Sequence, residues 1–179
     1  MKKNNGFTLI ELVVVIVILG ILAVTAAPRF LNLQTDARNA RLEGMKGAIE
    51  GALAIGYGKM AIEGLEHLRY VSNKNEDTGL TPPTPKHDLP FTDCNIGGSE
   101  NCTFIYGYPD ADDTSLRQLV QDLETDNSDW VVLRHPDGDP RRELFVTVRG
   151  ETDMTACAVR YAPPTSATTQ YQLEVLPCL

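Results

Sequence analysis

Glu11 is the one ionisable side chain in the otherwise apolar run from Phe7 to Ala27. A carboxylate in such a setting is costly and is retained where it finds a partner or has work to do. No basic residue lies within the run. Cutting the chain between Gly6 and Phe7 would supply a cation, because the freed α-amino group of Phe7 would lie about one helical turn from Glu11. Between neighbouring helices the same pair would set an axial register. The chemistry open to Glu11 is therefore ionic docking after proteolysis, and an intermolecular pair of this kind makes a polymer.

The remaining reactive residue types offer little chemistry. Cys94, Cys102, Cys157 and Cys178 contain no C-x-x-C pair and lack zinc-ligand spacing with histidine, which favours disulfides in an oxidising compartment. Four cysteines allow three connectivities. The short spacing of Cys94 and Cys102 and the hairpin-like segment between Cys157 and Cys178 favour pairing of neighbours, each bridge worth roughly 2.5 to 3.5 kcal/mol in the chain-entropy model. His67, His87 and His135 are far apart in sequence and join no metal-ligand or triad pattern, so they read as solvated surface histidines. Asp110, Asp112 and Asp113, with Asp137 and Asp139, could offer oxygens to Ca2+ but complete no EF-hand loop and read as solvated turns. No phosphate loop is present, since Gly97-Gly98 lacks the following lysine and hydroxyl residue. The expectation is a protein that is not an enzyme and that has no cofactor and no metal.

The elements that must position these residues begin with the apolar run itself. Its 21 residues, Phe7 to Ala27, would extend roughly 30 Å as a helix, the thickness of a bilayer's hydrocarbon core. Lys2 and Lys3 precede it, which places the N-terminus in the cytoplasm and the remainder outside. From Leu31 to about Glu63 there is no proline, and Leu42, Met45, Ile49, Leu53, Gly56 and Met60 recur at helical spacing. An unbroken helix from Phe7 to Glu63 would be roughly 85 Å long. Pro28 removes one backbone donor and is expected to bend or loosen it near the membrane exit. Ala40, Gly44, Ala48, Ala52 and Gly56 recur every four residues, a stripe of small side chains expected to be covered by a sheet.

The 179 residues, 42% of them hydrophobic, allow one modest globular core beyond this helix. The formal charge is −8, and loss of Lys2 and Lys3 with a leader would take it to −10, a surface that repels nucleic acid. Residues 72–112 are rich in Asn, Asp, Gly and Pro and read as a long loop region. Asp113 or Thr114 can cap a helix that carries Leu116, Leu119, Val120 and Leu123 on one face and ends near Asp126. Strand signals follow at Trp130–Leu133, Leu144–Val148, Cys157–Tyr161 and Tyr171–Leu176.

The stretch Gly6-Phe7-Thr8-Leu9-Ile10-Glu11 after a short basic leader resembles the class III signal of type IV prepilins. The residues from Ala26 to Gln34 look like the mannose-sensitive haemagglutinin (MSHA) branch of those pilins, and the likeness covers about the first third of the chain. The resemblance implies an α+β pilin fold: a long N-terminal helix, half transmembrane and half amphipathic, packed against a C-terminal antiparallel sheet of about four strands. It further implies cleavage after Gly6 by prepilin peptidase, methylation of the new N-terminus at Phe7, subunit docking by Glu11, and a surface-exposed region bounded by Cys157 and Cys178.

The expected organisation is a leader at 1–6, a transmembrane and assembly helix at 7–27, its amphipathic continuation at 28–63, and a head with two disulfides at 64–179. The expected function is a structural subunit of an MSHA-like pilus used in attachment. Its partners would be further copies of itself in a helical filament, prepilin peptidase, the inner-membrane assembly machinery, and surface glycans. Before assembly the chain would sit in the inner membrane as a single pass; afterwards it would be extracellular. A pseudopilin or minor pilin of a secretion system shares the N-terminal logic, whereas a membrane-anchored or secreted enzyme leaves Glu11 without a use.

Overall fold

The computed structural model describes residues 7–74, 85–135 and 142–179. Its longest element is α1, Leu9–Ile62. Thr8 and Glu11 open it reciprocally: the Glu11 amide donates to Thr8 Oγ1 at 3.3 Å, and the Thr8 amide donates to Glu11 Oε2 at 2.8 Å. This is a capping box, which satisfies two of the four donors left orphaned at a helix start. The helix closes on Gly64 in the left-handed region at φ 68°. There Leu65 N–H donates to Met60 O at 2.9 Å and Gly64 N–H to Ala61 O at 3.1 Å, a Schellman termination.

Two compact units divide the chain, one ending at Arg38 and one running from Asn39 to Leu179. In the first, every side chain from Phe7 to Thr25 is exposed. The second holds two hydrophobic clusters. In the larger, Leu42, Met45, Ile49 and Leu53 of α1 meet Leu116, Val120 and Leu123 and the inward residues Leu144, Val146, Val159 and Tyr161 of a sheet. That sheet is an antiparallel meander of four neighbouring strands, numbered here with the others: β4 Trp130–Arg134, β5 Leu144–Val148, β6 Ala158–Ala162 and β7 Gln172–Leu176. Pairing Val146 with Val132 and Val159 keeps the alternate apolar residues on the face toward α1.

The smaller cluster gathers Met60, Val71, Leu89, Phe91 and Phe104 around the Cys94–Cys102 bridge. It lies with a three-stranded sheet of β1 Val71–Ser72, β2 Thr103–Ile105 and β3 Tyr108–Pro109, where a long loop was expected. Strands of two or three residues carry too little alternation to be legible as a pattern.

The fold class stands as expected, a long N-terminal apolar helix followed by antiparallel sheets. Three other expectations change. The second helix, α2, covers only Asp113–Arg117 and its N-cap is Asp112, whose carboxylate accepts from Ser115 N–H. Its continuation is broken where Asp122 and Glu124 take positive φ of 60° and 59°, yet Leu123 between them is still fully buried.

The small-residue stripe is covered over only part of its length. A Cβ on Gly56 would meet Leu119 at 2.9 Å, but one on Gly44 would meet nothing within 4 Å, and Ala40 and Ala48 are exposed. A four-residue repeat gains about 40° per step on a helix of 3.6 residues per turn, so the stripe winds off the covered face. The mixed three- and four-residue spacing of Leu42, Met45, Ile49, Leu53, Gly56 and Met60 tracks that face, and all six are buried. Lastly, His135 is not a solvated surface residue. Its side chain is 10% exposed, 3.3 Å from Glu143 Oε1 and edge-on to Phe145.

Candidate functional site

Glu11 lies at the head of the exposed apolar run, and the capping box makes its partner Thr8. Besides the backbone contacts, Thr8 Oγ1 donates to Glu11 Oε2 at 2.6 Å. Thr8 thus supplies Glu11 with hydrogen-bond donors within its own helix start, though with no cation. The T-x-x-E pattern ahead of an apolar run was the readable signal for this. Among the described residues the cap engages Oε2 alone, and the second carboxylate oxygen has lone pairs to accept from a further donor.

The residues around it present a continuous apolar surface. Phe7 is 88% exposed, and Leu9–Ala26 averages a hydropathy of 3.0, long and apolar enough to cross a membrane. Burying such a surface away from water is the dominant driving force available to this unit, whether lipid or other helices cover it. Thr25 bonds back to Leu22 O at 3.0 Å and so adds no free polar group to the run. Pro28 falls inside α1, but its side chain and all of Gly6 lie outside the described residues.

In the second unit the bridges join Cys94 to Cys102 and Cys157 to Cys178, with Cα separations of 5.5 and 4.1 Å. The C-terminal bridge lies beside α1, where Asn39 Oδ1 accepts from the Cys178 amide at 2.7 Å. Arg41 pairs with Asp129 at 3.3 Å and lies 5.6 Å from the Trp130 ring centroid. These contacts tie the first helical turns of the unit to the beginning and the end of its sheet. Asn39 and Arg41 gave no sequence signal, because their partners are distant in the chain.

Asp110 and Asp112 have structural partners. Asp110 pairs with Arg142 at 3.3 Å. Asp112 accepts from the Thr103 hydroxyl, from Ser115 N–H at 2.5 Å and from the Ser115 hydroxyl at 3.0 Å, linking β2 to α2. Burial pushes its carboxyl up to about 6 despite those hydrogen bonds. Among the described residues no group of three or more His, Cys, Asp or Glu could hold a metal ion. Asp137 and Asp139 lie outside the described residues.

Residues 1–27 match the prokaryotic N-terminal methylation motif, a match that takes in the capped start of α1. The chain is 50% identical over 53 residues to the major component of the type IV narrow pilus of Thermus thermophilus, covering 30% of this chain and 46% of that one. It is 35% identical over 113 residues to fimbrial protein Q of Moraxella bovis, covering 58% of this chain and 65% of that one. To a fimbrial protein of Pseudomonas aeruginosa it is 30% identical over 100 residues, 54% of each chain. The chain thus spans less than two thirds of the length of these curated relatives. No solved structure matches significantly. The motif and the fimbrial relatives together support the type IV pilin family for this chain.

Proposed function

We propose that the chain is the precursor of a type IV pilus subunit, cut between Gly6 and Phe7, methylated on the Phe7 amine and polymerised through its N-terminal helix. The observation that carries this reading is the juxtaposition at the helix start of an exposed run, Leu9–Ala26, with a carboxylate held in a cap that uses one of its oxygens. A run with this hydropathy is compatible with lipid before assembly and with other helices after it. The Glu11 carboxylate then docks on the free amine of a neighbouring subunit while Thr8 fixes its rotamer. Prepilin peptidase and an inner-membrane assembly machinery are the partners such a cycle requires. Pro28 loosens α1 by removing one backbone donor and lets the helix adjust as lipid is exchanged for neighbours.

Within this reading the fibre is MSHA-like and serves attachment, on the strength of the residues from Ala26 to Gln34. Mass spectrometry of material sheared from the cell surface tests the cut and the abundance together. N-methyl-phenylalanine from Phe7 as the mature start is the expected result. A start after Ala26 or Ala27 would mean a conventional cleaved signal and would end the pilin reading.

A further inference from the structure

A cleft of about 600 Å³ opens in the second unit, with walls from the β1–β3 sheet on one side and the β6–β7 loop on the other. Its volume lies within the range of small-molecule sites. Arg69 and Tyr70 precede β1, Ile105 and Tyr106 close β2, Arg142 and Glu143 precede β5, and residues 162–172 supply two prolines, two threonines and two glutamines to the lining.

Two features distinguish this cleft from an ordinary surface hollow. The first is charge. In a chain of formal charge −8 the cleft gathers two guanidiniums from the segments that lead into two different sheets. Arg69 is exposed and enters no ion pair among the described residues. Arg142 pairs with Asp110 at 3.3 Å through a side chain that is 58% exposed, a contact that a competing carboxylate can exchange. The one acidic residue in the lining, Glu143, has both oxygens occupied, by Arg160 at 3.1 Å and by His135 at 3.3 Å. What faces a ligand is therefore one guanidinium outside any described ion pair, Arg69, and a second, Arg142, whose exposed partner can be exchanged.

The second is backbone. Tyr106 and Gly107 have φ of 49° and 80°, the pair of positive values that a two-residue hairpin turn of type I′ demands. The first of those positions favours Asn, Asp or Gly, and an aromatic residue there is an outlier. Retained strain of this kind marks a side chain wanted in that place. Tyr106 is half-buried and lines the cleft together with Tyr70. The opposite wall is preset: Pro163 and Pro164 are buried, and Thr169 Oγ1 accepts from the amides of Thr165 at 3.1 Å and Ser166 at 3.0 Å.

We infer that this cleft binds an acidic saccharide, its carboxylate held by Arg69 and Arg142 and its ring and hydroxyls held by Tyr106 and the amide side chains of Gln170 and Gln172. Guanidinium forks match a carboxylate. Amphipathic tyrosine rings suit the apolar face of a sugar, and side-chain amides both donate to and accept from its hydroxyls. A peptide bearing acidic groups would meet the same arginines but lacks the apolar ring face that Tyr106 can cover. The cleft lies wholly within the second unit, so the inference stands apart from polymerisation and from the pilus reading.

The test uses the full chain in detergent at physiological salt, titrated with tri-galacturonic acid, with its neutral galactose counterpart, and with an acidic peptide of equal charge. Tri-galacturonic acid should bind roughly tenfold or more tightly than either, and Arg69→Gln and Arg142→Gln should each weaken it by about tenfold or more. Tyr106→Gly supplies a readout that a purely structural turn would not give. It should raise the melting temperature, since glycine relieves the positive φ, while weakening saccharide binding. Equal affinity for the neutral sugar, affinity unchanged in Arg69→Gln, or tighter binding of the peptide would each overturn the inference. None of these outcomes bears on where the chain is cut or whether it polymerises.

Discussion

The two units of this chain use hydrophobic residues in opposite ways. Ile16 and Ile49 lie on the same helix, yet Ile16 is 57% exposed and Ile49 is fully buried. Around Ile49 the chain supplies its own cover, from residues as distant as Tyr161 and Cys178. Around Ile16 the described residues supply none. The second unit is a folded object whose stability is a property of one chain. The first exposes an apolar surface that the described residues leave uncovered, and under the proposed function lipid or another copy covers it. The difference separates what can be learned by unfolding a monomer from what can be learned only by assembling many.

The largest effect expected from this contrast falls on the first unit. Replacing Glu11 with Ala should leave cleavage after Gly6 intact but reduce fibre recovered from the cell surface roughly a hundredfold or more, as when one partner of a desolvated ion pair is removed. Immunoblots of sheared and membrane fractions, with the mature N-terminus read by mass spectrometry, separate the two effects. Normal fibre yield would show that the carboxylate is only a helix cap.

A paired substitution addresses the contrast directly. Ile49→Ala opens a cavity in the larger core and should cost about 2–5 kcal/mol, lowering the melting temperature of the second unit by roughly 5–15 °C. Ile16→Ala, on the same helix, should leave that melting temperature where it was. Circular dichroism melts of the detergent-solubilised chain decide it. A matching loss in Ile16→Ala would mean that the two units share a core after all.

Legibility in the sequence follows the same division. The four-stranded meander was readable because its strands are rich in β-branched, aromatic and other apolar residues and are separated by turn clusters. The apolar run was readable from its length and its single carboxylate. What stayed hidden depends on partners far away in the chain. Three acceptable caps stand together at Asp112, Asp113 and Thr114, and it is Thr103, brought alongside by β2, that favours Asp112. The apolar period through Leu119, Val120 and Leu123 continues a helical pattern that the backbone abandons, because a turn can bury the same residues. Thr8 is hidden differently: its hydroxyl sits inside the apolar run, and only its spacing of three residues from Glu11 marks it as a cap.

Asp112 gives the second unit a pH dependence of its own. Its carboxyl is raised by burial from the usual 3.8 to about 6. Between those values the folded chain holds a proton that the unfolded chain has released, so the contribution to stability falls as pH rises from about 4 to about 6 and is flat above. The total change is of the order of 3 kcal/mol at most. Asn at 112 keeps a cap and cannot titrate. The stability difference between wild type and Asp112→Asn should therefore shrink or reverse on going from pH 4 to pH 7, as measured in urea titrations at each pH. A difference independent of pH would show that the three hydrogen bonds hold the carboxylate ionised throughout.

The smallest effect returns to the helix start and decides what the capping box is for. Thr8→Ala removes the hydroxyl that accepts from the Glu11 amide and donates to its carboxylate, while leaving Glu11 itself in place. Loss of an N-cap side chain should speed amide exchange over residues 9–12 by about fivefold, because capping residues stabilise a helix start by a modest amount. If Glu11 acts chiefly by docking on a neighbour's amine, that fraying costs little in assembly, since a carboxylate released from Thr8 is free to pair elsewhere. Fibre yield in Thr8→Ala should then stay within about twofold of wild type while Glu11→Ala loses nearly all of it. Hydrogen exchange on the solubilised chain and fibre yield from the same strain supply the two numbers. Equal loss of fibre in both variants would assign the requirement to the intact cap, and the exposed run would owe its assembly to burial of apolar surface alone.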